Sequence, residues 1–171
     1  MSAFFTQQAL AGNGFIGSTA AAGVAIPLTT ATAQVFGLWN PAGSGVKAVL
    51  DKLMLGIATL GTNIVAAINW SVLTNAGATI GAAGAPIVTF TNTAIQNCIV
   101  GAGNASRCRF TGSAATTIAA THLMSVGFTS TTGTVTDEVS PHIFDHDGCL
   151  IIPPNVAIFL VGSVAPGSTY Q

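Results

Sequence analysis

Charge is the scarcest thing in this sequence. Only 5% of its 171 residues are Asp, Glu, Lys or Arg, against about a quarter in an ordinary soluble domain. None occurs from Met1 to Val46, nor from Leu53 to Ser106. A free monomer stays soluble through charges of both signs spread over its surface. A chain this poor in them is expected to be covered by neighbours, so homo-oligomeric self-association is the first expectation. Four basic residues and a net charge of −1 cannot make the basic stripe that phosphate binding needs, which argues against nucleic acid as a partner. Disorder is excluded for the opposite reason: half the residues are apolar, and disordered chains pair low hydrophobicity with high net charge.

Uninterrupted hydrophobic runs are also missing. Leu53 to Leu73 is uncharged, but Gly56, Gly61, Thr62, Asn63 and Asn69 dilute it, and "LGTN" reads as a turn. The segment is therefore expected not to cross a membrane. The start, "MSAFFTQQALAG", has no basic residue before its apolar ones and does not read as a secretory signal. Cysteine is sparse and odd in number: Cys98, Cys108 and Cys149. That argues against a fully paired disulfide framework and fits synthesis in a reducing cytoplasm. Cys98 and Cys108 flank "IVGAGNASR"; a hairpin turning at Ala102–Asn104 would oppose their sulfurs and permit a bridge. The alternative is two buried thiols, which a cytosolic origin favours.

Catalytic constellations are absent. There is no G-x-S-x-G. In "GSGVKA", Val46 separates Gly45 from Lys47, which breaks the spacing of a phosphate-cradling loop. "GNGFIG" at 12–17 lacks the preceding strand, following helix and downstream acid of a dinucleotide site. Neither an enzyme nor a cofactor is expected. The one polar cluster is "SPHIFDHDGC" at 140–149. Strand alternation puts His142 and His146 on one face, with Asp145, Asp147 and Cys149 on the other. Two histidines fall short of a metal shell, so a loop-proximal strand with solvated Asp side chains is the favoured reading. Trp39, Trp70 and Tyr170 would stack a sugar if exposed together; core or interface anchoring is the more usual fate of Trp.

What is present is β-branched. From Gly23 onward, short runs rich in Val, Ile and Thr are separated by Gly, Asn, Ser, Thr and Pro. This pattern predicts an all-β fold, an antiparallel sandwich of jelly-roll type over 23–171. "NAGATIGAAGAP" at 75–86 reads as a loop. Residues 1–22 show no sustained period and read as an extended N-terminal arm. Its Phe4, Phe5 and Phe15, together with Trp39, are the interface candidates.

Two motifs stand out. "LWNPAGSG" spans Leu38, Trp39, Asn40, Pro41, Ala42, Gly43, Ser44 and Gly45; "DGCLIIPP" runs from Asp147 through Pro154, about 100 residues on. Both resemble motifs, in the same order, of small β-sandwich structural proteins of tailed bacteriophages. The match covers a small part of the chain. It implies a virion protein, in the first reading a capsid decoration or cement protein forming trimers and contacting the major capsid protein. The alternatives are a tail, neck or spike component docking a host-surface glycan, and a major coat or filament-forming subunit. In the family the segment after the Gly-rich loop is a strand. Here the residues alone point elsewhere: Val46, Val49, Leu50, Leu53, Met54 and Ile57 mark a helical face. The resemblance overrules that period and makes 47–58 a strand. It also implies a further strand after the last apolar hairpin, whereas this sequence ends at "APGSTYQ"; an open sheet edge is expected there.

Overall fold

The computed structural model describes residues 3–19, 24–26, 33–59, 65–74, 87–93, 95–99, 105–116, 121–130, 142–162 and 169–170. The loop expected at 75–86 and the turn at 60–63 fall largely or wholly outside them. In chain order the elements are α1 (Ala3–Leu10), β1 (Phe15–Gly17), β2 (Val24–Ala25), β3 (Ala33–Asn40), β4 (Ala48–Leu55), β5 (Ile57–Thr59) and β6 (Val65–Thr74). Then come β7 (Ile87–Thr93), β8 (Ile95–Asn97), β9 (Arg109–Thr116), β10 (Thr121–Ser130), β11 (His142–Ile152), β12 (Val156–Gly162) and β13 (Thr169–Tyr170). Every strand pairing among the described residues is antiparallel. The fold is all-β, as the β-branched runs predict.

The largest sheet has six strands in the order β10-β6-β12-β3-β9-β7. At its middle, β12 reads "VAIFLVG", and its residues from Ala157 onward are all buried. An unbroken apolar run is the mark of a strand covered on both faces. Ile158 and Leu160 point one way, paired across to Val72 and Trp70 of β6. They form the main core with Ile26, Phe36, Leu55, Ile68 and Ile152. Leu55 closes β4 and Ile152 closes β11, so this core lies between the six-stranded sheet and the two-stranded β4–β11 ribbon. Ala157, Phe159 and Val161 face the other way and are equally buried.

Residues 47–58 form strands β4 and β5, not a helix. The misleading period has a cause in the ribbon's register. Leu50 pairs with Leu150 and Lys52 with Asp145, so residues 146–149 bulge opposite Asp51. The bulge resets the alternation: Ala48, Leu50, Leu53 and Leu55 are the more covered positions, Val49, Lys52 and Met54 the more exposed. A slip of one inside a period of two yields i, i+3 spacings that mimic a helix.

Two expectations are corrected. The arm is not simply extended. Ala3–Leu10 is a helix, formed where Ala, Gln and Leu supply good propensity. It ends in a Schellman motif: the Gly12 amide donates to Ala9 O, the Asn13 amide to Gln8 O, and Gly12 takes φ 77°, which only glycine adopts freely. The arm then folds back, with β1 pairing to β8. At the other end, Thr169–Tyr170 is not next to an open edge. As β13 it sits between β2 and β5 in a three-stranded sheet.

Candidate functional site

The two sequence motifs meet in space. Asn40, the last residue of β3, is fully buried. Its Nδ2 donates to Val46 O at 2.8 Å and to Ile152 O at 2.9 Å, and its own carbonyl accepts from the Asn155 amide at 2.8 Å. One side chain thus ties the residue entering β4 to the end of β11. Between them Pro41–Ser44 turns, with the Ser44 amide donating to Pro41 O at 3.2 Å. Gly43 and Gly45 take φ 79° and 71°, and Arg107 Nη1 donates to Ser44 O at 3.0 Å.

The bulge of β11 carries the polar cluster. Asp145 Oδ1 accepts from the Asp147 amide at 3.0 Å, while Asp147 and Gly148 take φ 43° and 76°. Asp145 Oδ2 also lies 3.2 Å from Lys52 Nζ. The Lys52 hydrogen bond, followed by that amide, holds the Asp145 carboxyl below its ordinary value. His146 turns inward. Its Nε2 accepts from Trp70 Nε1–H at 3.2 Å, with the rings 6.0 Å apart and tilted by 55°. Burial pushes the His146 pKa down, against the pull of Asp145, so the neutral ring is the folded form. His142 and His146 are the weak metal candidates in a segment read chiefly as a loop-proximal strand. The Nε2 of His146 is engaged by Trp70, and no group of three His, Cys, Asp or Glu gathers among the described residues. The side chain of His142 lies outside the described residues.

Trp39 is 2% exposed and packs inside the subunit, so it is a core residue and not a surface anchor. Trp70 is equally buried. Phe4 is exposed and Phe15 marginally so. Phe5 is half-buried, its ring edge-on to Phe4 at 5.4 Å and resting on Gly148, where an added Cβ would come within 3.1 Å of it. All three cysteines are free. The turn expected at Ala102–Asn104 lies outside the described residues; among those, β8 pairs with β1 and β9 with β3 and β7. Cys98 is exposed and Cys108 buried; burial raises the Cys108 thiol pKa and keeps it protonated and unreactive.

Sequence reasoning missed the outer face of the β4–β11 ribbon. Val49, Met54, Ile143 and Ile151 are 39%, 57%, 58% and 54% exposed. They lie in register, Ile151 against Val49 and Ile143 against Met54, with Asp145 against Lys52 between them. Alternation would have revealed the face in β11, had the bulge not scrambled its partner strand. Such an apolar array on one surface is a docking feature.

No family model, no curated protein and no solved structure matches this chain.

Proposed function

We propose that this chain is a non-enzymatic structural subunit of a tailed-bacteriophage virion. It acts as a decoration or cement protein that assembles with itself, in threefold clusters, and binds the major capsid protein on the head. The observation that carries the reading is the exposed apolar face of β4–β11 on a chain with 5% charge. Such a surface favours permanent neighbours over solvent. The virion assignment comes from the resemblance of "LWNPAGSG" and "DGCLIIPP" to phage structural proteins. It gains support from the way Asn40 joins the two motifs. A jelly-roll path for the strands belongs to the same reading. Docking of a glycan would draw on exposed Trp39 or Trp70, and both are buried, which favours the structural role.

The test is cryo-electron microscopy of the purified particle. Copies seated on the head shell in threefold clusters are expected; a chain confined to the tail tip, or missing from the virion, contradicts the proposal. Removal of residues 1–20 is a second arm of the test. It takes away exposed Phe4 and Phe15 and should speed release from the particle under salt and heat while leaving the six-stranded sheet folded.

A further inference from the structure

The outer ribbon face has a charge pattern that selects its occupant. At its paired positions it reads apolar, charged, apolar: the Ile151–Val49 pair, then, past the bulge at 146–149 with its exposed Asp147, the Asp145–Lys52 pair, then Ile143–Met54. Across the ribbon, the centre is a side-by-side cation and anion with Nζ and Oδ2 at 3.2 Å. Lipid is a poor occupant, since the ion pair sits at the middle of the apolar area and would be stripped of water. Nucleic acid is poorer, since Lys52, the cation at the centre of the face, is already paired with Asp145.

We propose that a second copy of this chain docks face to face on the β4–β11 ribbon, about a twofold axis that runs parallel to the strands. Rotation about that axis keeps each residue's position along the ribbon and exchanges left for right across it. The second copy's Asp145 therefore lies over Lys52, and its Lys52 over Asp145, so four charges alternate in sign around a closed ring. At the ends, Met54 meets the second copy's Ile143, and Val49 its Ile151. An axis running across the strands instead would place Lys52 on Lys52 and Asp145 on Asp145, and like charges in contact are strongly disfavoured. The face is thus self-complementary in one orientation, as a twofold contact requires. Sheets packed this way interdigitate at about 10 Å. Helix α1 borders the Val49 end, where Phe5 rests on Gly148, and exposed Phe4 lies next to it. The inference rests on the proposal that the chain self-assembles, and assigns this face to a twofold contact, distinct from the contact that closes a threefold cluster.

Two single variants test it. Lys52→Glu makes both members of the 52/145 pair negative, and Asp145→Lys makes both positive. Both remove the ion pair within a chain, and both positions are solvent-facing, so circular dichroism should show the wild-type fold. Light scattering coupled to size exclusion should give a mass of at least two chains for the wild type. Each single variant alone should associate at least about tenfold more weakly, from like-charge contact across the axis. An equimolar mixture of the two should regain near wild-type association, and so should the Lys52→Glu/Asp145→Lys double variant. Rescue on mixing cannot come from an ion pair within one chain, which both variants lack. If wild type associates but neither variant weakens it, or mixing restores nothing, the ribbon is not the contact, although self-assembly stands. A wild-type monomer throughout would overturn both.

Discussion

Strand β12 buries every residue from Ala157 to Gly162, whereas β4, of similar length, buries only Leu55 outright. Both strands are apolar by composition. The difference lies in what surrounds them. β12 has strands on either side and a covered surface above and below, so no position needs a charge. The β4–β11 ribbon is covered on one face only. It carries four of the chain's nine charged residues, Asp51, Lys52, Asp145 and Asp147, yet its open face still shows Val49, Met54, Ile143 and Ile151 to solvent. In a chain with so few charges, several of them stand on this ribbon beside exposed apolar groups. The central sheet holds the fold together; the ribbon carries the face that the proposed self-association would use.

The sharpest way to break this contrast is to truncate one large side chain in each region. Phe159 is fully buried, and Phe159→Ala should cost about 3–5 kcal/mol from lost transfer energy and the cavity left behind. Ile143→Ala, at 58% exposure, should change the stability of the dilute chain by no more than about 0.5 kcal/mol. Urea unfolding of both variants checks this; equal losses would erase the distinction between core and contact strand.

The Asn40 junction comes next. Asn40→Ala removes two buried donors and leaves the Val46 and Ile152 carbonyls without them. A loss of about 2–3 kcal/mol follows from leaving such acceptors unsatisfied. Amide exchange should rise at 46–50 and 150–155 before it rises in β12. Uniform exchange through both sheets would show that Asn40 does not join the ribbon to the core.

A smaller effect is tied to pH. The folded pKa of His146 lies below its ordinary 6.5 because burial penalises the charged ring. The unfolded chain therefore takes up the proton first. Stability contributed by the neutral ring is complete above about pH 6.5 and falls as pH drops below it. His146→Leu leaves Trp70 Nε1 without this acceptor, a cost of about 1–3 kcal/mol near neutrality. Its stability should then vary less than wild type between pH 7 and pH 5. Thermal melts across that window give the answer, and parallel slopes for the two proteins would contradict the assignment.

How much of this was legible in the sequence follows from where each signal lives. β12 announces itself because a strand buried on both faces is an unbroken apolar run. β4 hides, because its meaning depends on a bulge in β11 about 100 residues later, and its own residues imitate a helix. Helix α1 hides for another reason: none of its residues is buried, so it has no apolar stripe to read. The buried contact of His146 was not legible because its partner, Trp70, is 76 residues away. Trp39 looked like an anchor until β9 and β12 closed on either side of it. The exposed ribbon face was legible in neither strand alone; it exists only in their register.

Sedimentation velocity of the purified full chain, from nanomolar to tens of micromolar, tests the account most directly. The account predicts a concentration-dependent rise from 17.0 kDa to at least twice that mass by micromolar concentration. A single 17.0 kDa species over the whole range would contradict it, since the apolar ribbon face would then be stable in water with nothing against it.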